Sequence, residues 1–337
     1  MITHLERLQA CLRGEQPDRP PVALWRHFPV DDQEPGSLAA ATLHFQRTFD
    51  FDLVKVTPAS SFCLKDWGVE DKWTGNPEGT RDYTKAVVLD PSDWERLPTL
   101  TPTAPHLAAQ IACLRLIRSG LGPHVPMLQT VFSPLAQAKN LAGGERLLAH
   151  IRLYPEAVLK GLQAIAETTR RFVEACFGAG IDGLFYAIQH AQAHLLTPDE
   201  YRTFGLPFDR AVLSPAGGAW CNILHLHGHA VYFDLAPDLP VQIVNWHDRE
   251  SPPALAAAGS AFGGVLCGGL RQDTLVYHDR LAVQAEAEDA IAQTGGRRFI
   301  LSTGCVVPVI APHGNILAAR RIVDAALSSP EGAGPAA

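Results

Sequence analysis

Two histidines separated by a single residue are the part of this sequence best suited to chemistry. The segment 220–229 begins as an apolar run typical of a buried strand and ends in His225, His227 and His229. Side chains two residues apart on a strand point to the same face, so the imidazoles of His225 and His227 should lie side by side. Neutral imidazole nitrogens in this arrangement are suited to binding a transition metal.

A third candidate ligand follows a second apolar run near the end of the chain, where residues 298–303 lead into Gly304 and Cys305. Two imidazoles and one thiolate are a ligand set that zinc accepts while keeping a coordination position open. A substrate thiol bound there would lose its proton and become a good nucleophile. Alternatively, the histidines are polar cleft residues bonded to carbonyl groups, and the cysteine is inert.

The overall composition excludes several other classes of function. The 337 residues carry a net charge of −7, so no basic surface for nucleic acid or an anionic membrane is expected. No apolar run approaches the roughly 20 residues needed to cross a bilayer, and the first residues lack a signal-peptide core. Seven widely spaced cysteines without a C-x-x-C pair argue against a disulfide framework. We therefore expect a cytoplasmic protein.

Eight short apolar segments, mostly separated by helical patterns, predict the scaffold. Nearly continuous hydrophobic strands that alternate with helices indicate a parallel sheet covered on both faces. Eight such units predict a single α/β domain, a (β/α)₈ barrel over residues 1–327, with an N-terminal helix. An open doubly wound sheet is less favoured, because no G-x-G-x-x-G follows the first strand. The predicted strands are 22–25, 52–56, 126–132, 181–188, 220–227, 241–246, 264–269 and 298–303.

The remaining segments are predicted to surround this barrel. Helices are expected at 3–14, 37–49, 105–119, 135–179, 198–215, 279–293 and 314–327. Residues 59–105, which follow the second strand, read as a long irregular excursion over one barrel face. The tail 328–337, which is rich in glycine, proline and alanine, is expected to be disordered.

Further polar residues are expected near the rim where the barrel strands end, which is the site of chemistry in such folds. Arg26, Asp52, Gln189 and His190 are candidate catalytic residues on this basis. His229 and His247 are expected to support the ligands or to lie at the surface rather than to bind the ion.

Several short motifs together resemble the uroporphyrinogen decarboxylase superfamily. That superfamily includes the heme-pathway decarboxylase, corrinoid-linked methylcobamide:thiol methyltransferases and the catalytic domain of cobalamin-independent methionine synthase. The resemblance covers nearly the whole chain and implies a (β/α)₈ barrel that forms a homodimer. The motifs are RPPVALWR at 19–26, FDLV at 51–54, GIDGL at 180–184, GGL at 268–270 and FILSTGC at 299–305.

The resemblance to the decarboxylases is incomplete in the residues that hold their substrate. Arg26 matches the first of two arginines that bind the carboxylates of the tetrapyrrole, but the second arginine is missing. Asp52 lies near the aspartate that binds the pyrrole N–H groups. Cys305 stands where the decarboxylases have a histidine. The missing cations make a polyanionic porphyrinogen a poor substrate here.

The resemblance to the thiol methyltransferases extends to the ligand pattern. Those enzymes carry H-x-C on the fifth strand and a cysteine after the eighth, all zinc ligands. His225 and Cys305 match this pattern, and His227 replaces the first cysteine. The resemblance thus implies Zn²⁺ held by these three residues and methyl transfer to a thiol or similar small molecule. Asp52, Gln189 or His190 would then orient the acceptor or supply a fourth ligand.

The methyl donor implied by this resemblance is a methylated corrinoid on a separate protein, because the corrinoid-carrying motif D-x-H-x-x-G is absent from the chain. The first alternative is a cofactor-independent decarboxylase of uroporphyrinogen or a smaller acid. In that enzyme Arg26 would bind a carboxylate and Asp52 would stabilise a protonated intermediate. The second alternative is a non-catalytic binder of a tetrapyrrole or corrinoid.

Overall fold

Seven parallel strands form one curled sheet, in which neighbours in space are also neighbours in the chain. The computed structural model describes residues 2–325. Two further strands, β2 and β3, pair only with each other as an antiparallel hairpin. The strands are β1 (Val54–Val56), β2 (Glu70–Lys72), β3 (Asp82–Lys85), β4 (Met127–Phe132), β5 (Gly183–Ile188), β6 (Ile223–Leu226), β7 (Ile243–Trp246), β8 (Val265–Leu270) and β9 (Phe299–Thr303).

The first predicted strand, residues 22–25, pairs at one position only. Val22 forms an isolated parallel bridge with Leu301 of β9, and the Ala23 amide donates to the Leu301 carbonyl. On its other side the Val22 carbonyl accepts from the Asp52 amide, just before β1. This segment therefore lies at the seam between the two edge strands of the curled sheet. A closed barrel of eight full strands remains a prediction.

Helices connect the parallel strands, as expected from the alternating pattern. The helix predicted at 3–14 is confirmed, and a capping box of Thr3 and Glu6 begins it. The helices are α1 (His4–Arg13), α2 (Pro35–Phe49), α3 (Pro105–Leu121), α4 (Pro134–Ala142), α5 (Gly144–Leu153), α6 (Pro155–Phe177), α7 (Pro198–Phe204), α8 (Leu206–Leu213), α9 (Leu255–Ala261), α10 (Gln272–Tyr277), α11 (Arg280–Thr294) and α12 (His313–Ala325).

Some predicted elements differ from those observed. The helical region predicted at 135–179 is three helices, and the one predicted at 198–215 breaks at Gly205. The short helices α9 and α10 were not predicted, because seven and six residues are too few to show a helical period. The excursion predicted as irregular contains the β2–β3 hairpin. The predicted disordered tail lies outside the described residues.

None of the helices between residues 2 and 325 is both long and apolar enough to span a bilayer.

Asp52 anchors a buried ion cluster at the start of β1. Its fully buried carboxylate accepts hydrogen bonds from Arg7 Nη1 at 2.7 Å, Arg19 Nη1 at 2.6 Å and the Val22 amide at 2.8 Å, and His4 Nδ1 lies at 2.9 Å. Burial alone would raise the pKa of Asp52, but the hydrogen bonds and the charge of Arg19 hold it well below its usual value. The cluster ties α1 and the following turn to the sheet.

Replacing Asp52 should therefore destabilise the fold. Asp52→Asn leaves the buried guanidinium groups of Arg7 and Arg19 short of a negative partner, which typically costs roughly 3–5 kcal/mol. Because the folded-state pKa is lowered, the carboxylate's contribution is fully present above its unfolded pKa of about 3.9. The loss should therefore be the same at pH 7 and pH 5. Urea denaturation followed by circular dichroism measures it.

Asp50→Asn is the matched control for this prediction. The Asp50 side chain is 63% exposed, although it also pairs with an arginine, Arg320, and with His4. Exposed pairs of this kind contribute less than about 1 kcal/mol. Equal losses for the two variants would show that the buried cluster does not stabilise the fold.

Candidate metal centre

Four potential metal ligands converge at the carboxyl ends of three strands of the curled sheet, two of them adjacent and the third separated from these by β8. His225 lies in β6 and His227 follows it, His247 comes directly after β7, and Cys305 follows β9 by two residues. One ligand atom from each residue lies within 4.8 Å of all the others. Because parallel strands end at one edge of the sheet, residues 80 positions apart in the chain meet here.

The separations between ligand atoms fit one ion. The Cys305 Sγ lies 3.7 Å from His225 Nε2 and 3.7 Å from His227 Nδ1, and His247 Nε2 lies 3.5 Å from the same Nδ1. Nitrogen and sulfur ligands of a tetrahedral zinc ion stand roughly 3.3–3.6 Å apart, given bond lengths of about 2.0–2.3 Å. These three separations are already close to those values, and all four ligand atoms lie within 4.8 Å of one another, so the side chains would have to move somewhat closer together to hold such an ion.

Asn245 of β7 fixes the tautomer of His225. The Asn245 side-chain amide donates to the carbonyl groups of Cys267 at 2.9 Å and Thr303 at 3.0 Å. Its oxygen must therefore face His225 Nδ1, which lies 2.6 Å away and must donate. The Nε2 atom of His225 consequently has a free lone pair directed at the cluster. Metal-binding histidines are commonly oriented in this way.

Gly304 allows Cys305 to approach β7. A Cβ atom at position 304 would lie 2.8 Å from the Cα of His247 and 2.9 Å from the Trp246 carbonyl oxygen. Both neighbours are backbone atoms that cannot move aside. A larger residue at 304 would push the β9 end, and with it the thiol, away from the histidines.

The protonation states also suit a metal. Burial, together with the neighbouring imidazole of His247, lowers the pKa of His227 to about 4, and burial places that of His225 well below its usual value. The imidazoles are therefore neutral at pH 7. Burial and the charge of Glu78 raise the pKa of the Cys305 thiol to about 12. Metal binding at pH 7 should therefore displace one proton, from the thiol.

A cavity of about 790 Å³ opens beside the cluster, and His225, His227 and Cys305 form part of its wall. Of the other predicted site residues, Gln189 and His190 line the same cavity. His190 is buried and its Nδ1 atom has no hydrogen-bond partner. Burial, together with Lys139 and His227, lowers the pKa of His190 to about 4, so its ring is neutral.

Asp52 and Arg26 lie away from this cavity, so their predicted roles need correction. Asp52 is at the opposite end of β1, bound to the arginines described above, and it cannot contact a molecule at the cluster. Arg26 is half-buried in a separate groove with Phe28 and His313, and its Nε donates to the His27 carbonyl at 3.3 Å. The predicted strand 52–56 begins at Asp52, so that residue belongs to the amino end of the strand and not to the rim. Arg26 does follow the first predicted strand, but it lines the separate groove and not the cavity.

His247 was predicted to support the ligands or to lie at the surface, but its Nε2 belongs to the cluster itself. Two other side chains were also missed as site residues, Asn245, which orients His225, and Lys139, which lines the cavity. The sequence signal for His247 and Asn245 was their position at the end of β7, the strand next to the one that carries His225. His229 is exposed, in agreement with its prediction.

Comparison with known proteins agrees with this architecture. The family model described as uroporphyrinogen decarboxylase (URO-D) matches residues 3–326. A curated uroporphyrinogen decarboxylase from Syntrophotalea carbinolica is 27% identical over 174 residues, which is 48% of this chain. The chain spans about half the length of that relative.

Two solved structures share the fold at low sequence identity. A methyltransferase from Methanosarcina mazei superposes with a TM-score of 0.84 at 18% identity, covering 97% of this chain and 100% of the other. A B12-independent methionine synthase from Shewanella sp. W3-18-1 gives a TM-score of 0.57 at 12% identity, covering 91% and 95% of the two chains. Identities this low establish the fold alone.

The cluster leads us to expect that the purified protein binds one zinc or cobalt ion per chain. Cys305→Ala should weaken that binding by more than roughly 100-fold, because losing even a residue that orients a ligand costs about 10–100-fold. Titration against a chromogenic chelator, with elemental analysis of the product, measures the affinity.

Cys113→Ala is the control, since Cys113 is an equally buried thiol in α3 and outside the cluster. It should bind the ion as the parent does. A Cys305→Ala protein with undiminished affinity would remove the thiol from the ligand set.

Proposed function

The chain belongs to the uroporphyrinogen decarboxylase family, and within it we propose a zinc-dependent methyltransferase that moves a methyl group from a methylated corrinoid to a thiol. The observation that carries this proposal is the convergence of three imidazoles and one thiol, whose ligand atoms all lie within 4.8 Å of one another, beside a large cavity lined by His225, His227 and Cys305. The similarity in fold to a methyltransferase along nearly the whole chain is consistent with it.

The chain's own residues would do the following. His225, His227 and Cys305 hold the ion, which when bound would lower the pKa of an acceptor thiol and keep it as a thiolate. Asn245 keeps the His225 ring in the orientation that presents Nε2. One thiolate among imidazoles leaves a net positive charge at the site, so the acceptor thiolate is held more firmly than it would be beside two thiolates.

His247 is the ligand that we expect an acceptor to replace. Four protein ligands would close a tetrahedral site, whereas a catalytic site keeps one position open. His225, by contrast, is buried and tied to Asn245, and His247 is only partly buried. Its Nδ1 lies 3.5 Å from the partly exposed Glu250 carboxylate, which could hold the ring once it has moved away.

The size of the cavity suits a small acceptor better than a whole corrinoid. A volume of about 790 Å³ is typical of a site for a drug-sized molecule. The corrinoid would therefore approach from outside, presented by a separate protein. We also infer that residues 22–25 complete the sheet as the eighth member of a closed barrel, which would make this cavity the barrel mouth.

Decarboxylation of a tetrapyrrole is the weaker candidate. The curated relative bears that name, but Arg26 and Asp52, the residues expected to bind carboxylate and stabilise the intermediate, do not line the cavity. Arg81, which does line it, is already paired with Asp32 and Asp71. Turnover of uroporphyrinogen by metal-free protein would favour this candidate, and tight binding without product would favour a non-catalytic binder.

Methyl transfer should be directly observable with free methylcobalamin. We expect the zinc-loaded protein to transfer the methyl group to simple thiols, with loss of the methylcobalamin absorbance and formation of a thioether detected by mass spectrometry. Cys305→Ala should lower this rate by at least roughly 100-fold, in line with its loss of metal. Cys113→Ala should keep the parent's rate, and equal rates for metal-free and zinc-loaded parent would contradict the proposal.

His247→Ala should separate metal binding from catalysis. Because three ligands remain, the variant is expected to bind zinc within roughly tenfold of the parent and to accept a thiol without displacing a ligand. The apparent affinity for the thiol, measured from the methyl-transfer rate, should then rise or stay the same. Loss of zinc equal to that of Cys305→Ala would show that His247 is a permanent ligand.

A further inference from the structure

The lysines of this chain fall into two groups. The sequence has six. Three of them form ion pairs at the surface or edge of the fold, Lys65 with Asp71, Lys85 with Glu70 and Lys160 with Glu95, and Lys72 is exposed. The other two, Lys55 and Lys139, both line the cavity beside the histidine cluster.

Lys55 is buried without an acidic partner. Its ammonium group donates to Thr57 Oγ1 at 3.3 Å and lies 4.5 Å from the ring centre of Phe185 and 5.8 Å from that of Trp25. Within residues 2–325 no carboxylate comes within ion-pair distance of it. Burial lowers the pKa of Lys55 to about 7. An ammonium group in such surroundings is costly to keep unless something negative binds to it.

Lys139, on another part of the cavity wall, resembles Lys55 in its surroundings. It lies in the last turn of α4, is largely buried, and has no carboxylate partner in the described part of the chain. Burial lowers its pKa. The neighbouring His190 has a buried Nδ1 atom without a partner, so a second polar group beside Lys139 also lacks its complement.

We propose that the substrate of this cavity is an anion, held through a carboxylate, sulfonate or phosphate group by Lys55 and Lys139, beside the unpartnered Nδ1 atom of His190. Each lysine would gain a negatively charged partner that the described residues do not provide. The identification of this anion as the methyl acceptor rests on the function proposed above. Its binding to the two lysines does not.

Neither lysine forms an ion pair with an acidic residue of the cavity wall. Two of the three acidic residues of the cavity wall have other partners, since Glu78 accepts from Gln272 at 3.0 Å and Asp82 accepts from Thr74. The third, Glu145, is exposed to solvent and forms no ion pair with Lys55 or Lys139. A fold that needed the lysines only for packing would gain by replacing each with methionine, because removing an unpaired buried charge is often neutral or stabilising. One buried and one largely buried lysine, which lack a carboxylate partner among residues 2–325 and line one cavity, therefore point to a negatively charged ligand.

Three thiols that differ only in their end group test the proposal: 3-mercaptopropanesulfonate, 3-mercaptopropionate and 3-mercapto-1-propanol. Calorimetric titration of metal-free, reduced protein measures their binding without any contribution from the metal. We expect one or both of the charged thiols to bind roughly tenfold or more tightly than the alcohol, as for a charge-assisted hydrogen bond. The stronger of the two identifies the anionic group.

The double variant Lys55→Met/Lys139→Met should lose this preference, and Lys72→Met, an exposed control, should keep it. The double variant should also unfold at the same temperature as the parent or higher, which a structural role for the lysines would not allow. If it fails to fold, Lys139→Met alone, on α4, should reduce the preference. Equal binding of all three thiols by the parent, or a preference that survives both substitutions, would overturn the proposal.

The outcomes distinguish this inference from the proposed function. Preferential anion binding without methyl transfer would leave the anion site in place and remove the methyltransferase proposal. Methyl transfer at equal efficiency to charged and uncharged thiols would support the methyltransferase proposal and remove the anion site.

Discussion

The site depends on one electrostatic constraint: several imidazole lone pairs converge on one small volume, where the single proton of the Cys305 thiol can satisfy only one of them. His225 Nε2 is deprotonated because its Nδ1 must donate to Asn245. His227 Nδ1 faces the Cys305 sulfur at 3.7 Å and His247 Nε2 at 3.5 Å. Buried acceptors without donors are costly. A cation at the centre of the cluster relieves that cost for every member at once.

The scaffold separates this site from the charges that stabilise the fold. The Asp52 cluster lies at the amino end of β1, where it fastens the N-terminal helix to the sheet with fully paired charges. The histidine cluster lies at the carboxyl ends of β6, β7 and β9, where the potential ligand atoms lie within 4.8 Å of one another. In barrel-like folds the first end serves stability and the second serves function. The unpaired lysines of the cavity belong to the functional end.

Much of this arrangement could be predicted from the sequence. The H-x-H spacing on an apolar strand gave the ligand pair, and the glycine and cysteine after the last strand gave the third ligand, because strand periodicity and strand ends are local properties. Asp52 was assigned to the rim although it begins its predicted strand and so belongs at the amino end. Arg26 does follow its predicted strand, but which groove its side chain enters depends on tertiary packing. His247 was underestimated because its proximity to His227 depends on the packing of two strands and not on a local pattern.

The anion-binding role proposed for the two cavity lysines could not be predicted from the sequence either. Lys55 lies within the predicted strand 52–56, whereas nothing in the sequence around Lys139 distinguishes it from a surface lysine. The absence of a carboxylate partner could be predicted for neither, because it is a property of the folded cavity. Only the structure shows which charges are left without a partner, and it is these that suggest what the cavity binds.

The central claim is that one ion is held by imidazole nitrogens together with the sulfur of Cys305. X-ray absorption spectroscopy of the zinc-loaded protein tests this claim most directly. The account predicts a first shell of nitrogen scatterers at about 2.0–2.1 Å and one sulfur at about 2.3 Å. A shell of nitrogen and oxygen atoms without sulfur would contradict it.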